Sequence, residues 1–194
     1  MPPRARFTRE SVLLAALEVV RREGLRSVSA RSVASVLNAS TAPVSAAFVS
    51  MQALVDAVVA RIIELLLTAL EEAEGSDPLR AAAFAMARFA ADEPRFYEAL
   101  FLLPHASPPD WVAIRRGFSV QLQKSPRFRH LSDRQRDALS WRTTVVGHGI
   151  GIEIWSGRWN RTDDESLWRL VDQLVEPIIE AYLSAQGAST STKA

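Results

Sequence analysis

Few side chains in this sequence are of the types that catalyse reactions or bind metals. The chain has no cysteine, so thiolate nucleophiles, disulfides and cysteine-ligated metals are excluded. Its histidines, His105, His130 and His148, stand far apart and in no metal-ligand spacing. No serine lies in a nucleophile-elbow pattern, and no phosphate-binding loop is present. We therefore expect no enzymatic activity, no metal and no cofactor.

The glycine-rich segment Gly147-His148-Gly149-Ile150-Gly151 superficially resembles a nucleotide-binding loop. It lacks a preceding strand and the full spacing of a dinucleotide motif, so that function is excluded. Helical glycines cost about 1 kcal/mol each relative to alanine, so we expect close helix contact or ligand space here. His148 is then either a satisfied core or interface residue or a ligand contact. It lies five residues from Glu153, on a different helix face, so the two form no acid–base pair.

Positive charge is concentrated near the N-terminus. Residues 1–50 carry seven Arg and three Glu, a sum of +4, so the remaining chain sums to −3 within the total of +1. This asymmetry indicates contact with a polyanion, although seven arginines in fifty residues are also compatible with an ordinary charged surface.

Helices must position these residues, because strand patterning is almost absent and helical periodicity is nearly continuous. The sequence predicts an all-α protein. The expected start and end signals of the first three helices are Thr8 and Gly24, Ser29 and Asn38, and Ser40 and Ala47. Later helices are expected near 51–74, 78–91, 94–103, 109–123, 132–156 and 163–186, with Pro177 as a candidate kink in the last.

The second and third helices flank a tight turn, which is helix-turn-helix geometry. The series Val12-Leu-Leu-Ala-Ala-Leu-Glu-Val-Val, Arg22-Glu-Gly-Leu, Ser29-x-Arg31-x-Val33-Ala34, Ser40 and Phe48-x-Ser50-x-x-x-Leu54 resembles the N-terminal signature of the TetR family. The resemblance covers roughly residues 8–60. It implies a homodimer, two recognition helices spaced for a palindromic operator in double-stranded DNA, and a small-molecule pocket in the C-terminal part.

Asn38, Ser45 and Met51 depart from the family's usual Gly, backbone-packing Tyr and phosphate-contacting Lys. No Lys or Arg lies between Arg31 and Arg61, which predicts weaker phosphate binding unless the N-terminal arginines, Arg9 among them, compensate. Small hydroxyls and methyl groups would then read the bases, while Ser29 and Ser40 are also candidate helix caps. The candidate DNA-contacting residues are Arg4, Arg6, Ser29, Arg31, Ser40, Thr41, Ala42, Pro43, Ser45 and Ala46.

Two C-terminal stripes repeat at spacings of three and four residues, suited to a helix packed along another helix. The resemblance assigns the dimer contact to these two helices, and the alternative is that a stripe faces the monomer core. The candidate interface residues are Trp141, Val145, Ile152, Trp155, Leu167, Val171, Leu174 and Ile178.

Aromatic residues concentrate in the middle of the chain, as in an apolar ligand pocket or in any helical core. The candidate ligand-binding residues are Phe84, Phe89, Tyr97, Phe101, Trp111, Phe118, Arg142 and His148.

The sequence thus predicts a helix-turn-helix domain at 1–50, a ligand-binding and dimerisation domain at 51–186 and a disordered tail at 187–194. The most apolar stretch contains charged residues and the N-terminus does not resemble a signal peptide, so we expect a cytoplasmic protein without a membrane partner. The favoured function is a transcriptional regulator, a repressor released from its operator by a small apolar or aromatic molecule. The alternative is a dimeric ligand- or protein-binding protein of the same fold with weakened or lost DNA binding.

Overall fold

The computed structural model describes residues 7–73, 75, 77–105 and 110–191, with the side chains at 113, 115–117, 119 and 187–191 excepted. Within these ranges the regular structure is helical and no strand occurs, which confirms the all-α prediction. The helices are α1 Arg9–Glu23, α2 Ala30–Val36, α3 Ala42–Ala47, α4 Met51–Glu72, α5 Pro78–Asp92, α6 Pro94–Phe101, α7 Trp111–Lys124, α8 Asp133–Trp155, α9 Asp164–Leu174 and α10 Glu176–Ser191, and a short 3-10 turn covers Leu25–Ser27.

The chain forms two compact units. The first contains residues 1–67 and 93–108, and the second contains 68–92 and 109–194. The first unit is therefore discontinuous, because α6 belongs to it while α5 belongs to the second. The predicted division at residue 50 concerns function and stays a prediction. At the C-terminus α10 continues to Ser191, beyond the predicted helix end at 186, and 192–194 lie outside the described residues.

Local side-chain signals set the boundaries of α1 as expected. The Thr8 hydroxyl accepts a hydrogen bond from the backbone N–H of Ser11 at 3.1 Å, and the Ser11 hydroxyl accepts one from the Thr8 N–H at 2.9 Å. This reciprocal pair satisfies two amides that the first helical turn leaves without partners. Gly24 ends the helix with a φ of 89°, in the region that favours glycine.

The core of the first unit is built around α1, which packs against α2, α3 and α6. Val12, Ala16 and Val20 lie on its fully buried face. The contact with α6 is fixed by Arg21, whose guanidinium binds the Glu93 carboxylate at 2.7 Å and lies 4.8 Å from the centre of the Phe96 ring. The buried face of α1 and the Arg21 contacts together hold α1 against α6.

The second unit is organised by α5, which packs along α8 and α9. Small residues line the first of these contacts. A Cβ added at Gly147 would lie 3.7 Å from the Ala83 Cα atom, whereas one added at Gly149 would meet nothing within 4 Å. Gly147 therefore faces Ala83 of α5 at a distance at which a Cβ would make an ordinary van der Waals contact.

The last predicted helix is divided at Val175 into α9 and α10. Pro177 lies at the second position of α10 and has no N–H to donate to the preceding turn. Val175 itself keeps helical hydrogen bonds on both sides: its N–H donates to the Val171 carbonyl at 2.8 Å, and its carbonyl accepts from the Ile179 N–H at 3.1 Å.

An ion cluster connects the start of α5 with α10. The Asp77 carboxylate is almost fully buried and accepts hydrogen bonds from the backbone amides of Leu79 and Arg80. Its second oxygen accepts one from Arg127 at 2.5 Å, and Arg127 also pairs with Glu176. This pairing lowers the pKa of Glu176 below its usual 4.5.

Candidate nucleic-acid interface

The turn between α2 and α3 is a tight left-handed reversal. Asn38 has a φ of 49°, and among the described residues it is the one non-glycine with positive φ. The Ala39 N–H donates to the Ala34 carbonyl at 3.0 Å, which is the hydrogen bond of a Schellman helix end. Asparagine tolerates this conformation better than most residues, so Asn38 does the work of the glycine usual in the family that the sequence resembles.

The start of α3 differs from the prediction by one residue. Thr41, not Ser40, occupies the N-cap position, and its carbonyl accepts from the amides of Val44 and Ser45 at 3.1 and 3.2 Å. The Thr41 side chain makes no capping hydrogen bond, so neither hydroxyl supplied a strong local signal. Pro43, expected at the third helical position, is at the second, where its missing N–H costs little.

The short helix α3 has one buried face and one exposed face. Val44 and Phe48 are 2% and 6% exposed and anchor it in the first unit. Val49, just after the end of α3, is 99% exposed and is not among the residues predicted from the sequence. We call Thr41, Ala42, Ser45, Ala46 and Val49, all exposed, the recognition surface.

The Ser45 hydroxyl donates to the carbonyl of Thr41 at 3.5 Å, the long limit for such a bond. Pro43 is half-buried beside the recognition surface, and Ser40 is exposed before it. The candidates from 40 to 46 are thus adjacent to one another, and their role in DNA contact stays a prediction.

Arg9 is positioned at the end of α3 by an aromatic contact. Its guanidinium carbon lies 4.5 Å from the centre of the buried Phe48 ring, within the range of cation–π attraction. No carboxylate pairs with Arg9 among the residues that the structure describes. The contact joins residues 39 positions apart, so no local sequence signal could have identified it.

The other arginines of the first unit differ in whether a carboxylate binds them. Arg61 binds Glu10 at 2.8 Å and Glu64 at 2.9 Å, which raises the pKa of Arg61 and lowers the pKa of Glu10. Arg61 is thus committed to an internal pairing between α1 and α4. Arg31 is exposed on α2, while Arg4 and Arg6 lie outside the described residues.

Ser29 and Met51 lie at the starts of α2 and α4. The Ser29 hydroxyl caps α2 by accepting from the Ser32 N–H at 3.1 Å, which confirms the capping role. Met51 is half-buried as the first residue of α4. A thioether at this position carries no charge to offer a phosphate.

The predicted ligand-binding residues are divided between the two units. In the first, Tyr97 is fully buried, and its ring centre lies 4.9 Å from that of Phe101. Burial raises the pKa of Tyr97 to about 12, so its hydroxyl stays neutral at physiological pH. In the second, Phe84 stacks on Trp168 at 4.3 Å, and Phe89 is buried farther along α5.

The remaining ligand candidates belong to the second unit. Trp111 and Phe118 are half-buried on α7. Arg142 lies 5.0 Å from the centre of the Tyr182 ring, and burial lowers the pKa of His148. An open depression of about 570 Å³ lies on α9 beside Trp168 and Arg169, and none of the predicted ligand residues lines it. The ligand assignments stay predictions.

The candidate dimer residues fall into two sets. Trp141, Val145, Ile152, Trp155 and Leu174 are between 36% and 54% exposed, and Ile178 is half-buried. Leu167 and Val171 are fully buried within their own chain, so they offer no surface to a partner.

The described residues show no feature of a metal site or a membrane span. No group of three or more His, Asp or Glu side chains within them is placed to hold a metal ion. No helix in the same ranges is both long and apolar enough to cross a membrane.

Comparison with known proteins finds a likeness at the level of fold. No family model and no curated protein matches the chain. Among solved structures, it is similar to a protein from Pseudomonas aeruginosa PAO1 provisionally described as a transcriptional regulator, with a TM-score of 0.58 and 17% sequence identity. The alignment covers 95% of this chain and 92% of that one, so the all-α architecture is shared over nearly the full length.

Proposed function

We propose that the protein is a DNA-binding transcriptional regulator of the TetR type. The observation that carries the proposal is the left-handed turn at Asn38 followed by α3, whose outer side is exposed and anchored from beneath by Val44 and Phe48. A short, rigidly anchored helix of this kind fits the major groove of DNA. The shared fold with a protein provisionally described as a transcriptional regulator supports the proposal.

The protein would act as a homodimer. The exposed apolar residues of α8, Trp141, Val145, Ile152 and Trp155, recur at spacings that place them along one side of that helix. Two copies of such a stripe form a self-complementary contact under two-fold symmetry. The same symmetry would place two recognition surfaces on the two halves of a palindromic operator.

A small apolar or aromatic molecule would release the operator. The aromatic residues of α5 and α7 are the candidates for its binding, with Arg142 and His148 as polar anchors. For release, the molecule must bind the DNA-free conformation more tightly than the DNA-bound one, because equal affinity would leave the equilibrium unchanged.

The direct test is selection of DNA from random and genomic fragments by the purified full-length protein at two salt concentrations. We expect enrichment of a palindrome and an affinity that falls steeply as salt rises, since each neutralised phosphate releases counterions. A folded dimer that enriches no sequence, even at low salt, would contradict the proposal.

A second function, ligand or protein binding without DNA, is favoured by the charges around α3. Ser45 and Met51 stand where the resembled family has a Tyr and a Lys that contact the DNA backbone, and Arg61 is paired with Glu10 and Glu64. The double variant Ser45→Tyr with Met51→Lys distinguishes the two functions. A gain of DNA binding over an inactive parent would favour the second function, whereas a tightly binding parent that the changes leave unaffected would exclude it.

A further inference from the structure

We propose that the recognition surface selects DNA by the 5-methyl groups of thymine, and that Val49 is one of its base-contacting residues. This inference rests on the proposed DNA-binding function and specifies the operators that the protein would accept. Ala42 and Ala46 are exposed and lie four residues apart, on one face of α3. Val49 is 99% exposed and follows directly after Phe48, the residue that ends α3.

The chemistry of these side chains limits what they can read. Alanine and valine end in methyl groups and form no hydrogen bonds, so they cannot distinguish the donors and acceptors on base edges. The feature of the major groove that they can recognise is the thymine 5-methyl group, which accepts apolar contact. Thr41 and Ser45 add hydroxyls that pair with several bases and carry little discrimination.

The shortness of the side chains also favours close contact. No residue of the recognition surface is larger than valine, so the α3 backbone can approach the floor of the groove without a bulky side chain intervening. At such a distance a methyl–methyl contact excludes water. A cytosine at the same position presents a hydrogen where thymine has its methyl group and leaves a gap.

The surrounding charge fits DNA rather than an acidic or uncharged protein partner. No Asp or Glu occurs between Glu23 and Asp56, the span that contains α2, α3 and the turn between them. The cation of Arg9 lies against Phe48 at one end of α3, and Arg31 is exposed on α2. An apolar surface with a cation at one end, in a span of sequence without carboxylates, complements a groove lined by methyl groups and bordered by phosphates.

The test replaces thymine by deoxyuridine, one position at a time, in the operator recovered by selection. This change removes the methyl group and leaves every hydrogen-bonding group of the base in place. We expect about a fourfold loss of affinity at each contacted thymine, the value for one buried methyl, and about fifteenfold when both half-sites are changed.

Variants of the full-length protein then assign the contact. Val49→Ala should remove the sensitivity to deoxyuridine at one thymine of each half-site and leave it unchanged at the others. Because Val49 is exposed, the change leaves the folded core intact, which thermal unfolding checks. Val36→Ala is the matched control, since Val36 is also an exposed valine of the same unit, 37% exposed on α2, and should leave every deoxyuridine effect unchanged.

The outcomes separate this inference from the proposed function. Tight binding to a selected operator with no loss at any deoxyuridine would overturn the methyl readout and leave the DNA-binding function intact. A deoxyuridine effect that Val49→Ala does not alter would overturn the assignment of Val49. Failure of the folded dimer to enrich any DNA would overturn both.

Discussion

Replacing Arg9 with glutamine should reduce the salt dependence of DNA binding. Arg9 is held 4.5 Å from the Phe48 ring centre at the end of α3, so it is placed to meet a phosphate when α3 enters the groove. Arg9→Gln removes the charge and keeps a long side chain. In a dimer the change removes two phosphate contacts, which lowers the slope of log affinity against log salt by about 1.8. Between about 50 and 200 mM salt the parent protein should therefore lose about twelvefold more affinity than the variant.

The measurement is fluorescence anisotropy with a labelled operator at four or more salt concentrations. Arg22→Gln is the matched control, because Arg22 is exposed in the last turn of the same helix. It lies thirteen residues from Arg9, which is about 20 Å along the helix axis. The control should change the slope little, and thermal unfolding should show that both variants remain folded.

Two results would refute the reasoning about Arg9. An unchanged slope in Arg9→Gln would mean that the cation held by Phe48 contacts no phosphate. An equal reduction in Arg9→Gln and Arg22→Gln would mean that α1 contributes only its overall charge. In the second case the position of Arg9 beside α3 would not matter for DNA binding.

Three further predictions concern assembly and stability. Val145→Glu should weaken the dimer by at least about 2 kcal/mol, because each half-exposed valine loses about 1 kcal/mol of apolar burial; an unchanged mass in sedimentation would place the interface elsewhere. Asp77→Ala should lower the free energy of unfolding by about 1 kcal/mol more than Asp77→Asn, since asparagine can still accept from the amides at the start of α5; equal losses in chemical denaturation would contradict this. Because Arg127 lowers the pKa of Glu176 below 4.5, the stability that Glu176→Gln removes is present above that pH and is lost as pH falls further. The two proteins should therefore converge in unfolding free energy in acid, and a constant difference would exclude the ion pair as its source.

The features that the sequence predicts well are those set by neighbours in the chain. Thr8 and Ser29 cap helices, Gly24 ends one, and Asn38 adopts positive φ, because each conformation depends on three or four adjacent residues. The start of α3 is predicted one residue too early, because Ser40 and Thr41 are adjacent hydroxyls and the true N-cap, Thr41, makes no side-chain capping bond. The same locality explains why the fold class was predictable.

The features that the sequence does not reveal depend on distant residues or on exposure. The contact of Arg9 with Phe48 and the cluster of Asp77, Arg127 and Glu176 form only when separate helices pack. Val49 is not among the DNA-contacting residues predicted from the sequence, because a valine beside a helix usually belongs to a core. The structure shows that it is almost wholly exposed. For the same reason, the helical spacing predicts Leu167 and Val171 as interface residues together with the exposed Leu174, although both are buried.

Because α6 belongs to the first unit, this unit cannot be transferred to another protein as one continuous N-terminal segment. The N-terminal helices cannot be transplanted as a cassette ending at residue 50 or 67, because α1 also packs against α6, which begins at Pro94. A chimera cut at either point would strip Phe96 from beneath Arg21 and expose the buried side of α1. Recombination that preserves this unit must join after residue 108 and bring α5 with it.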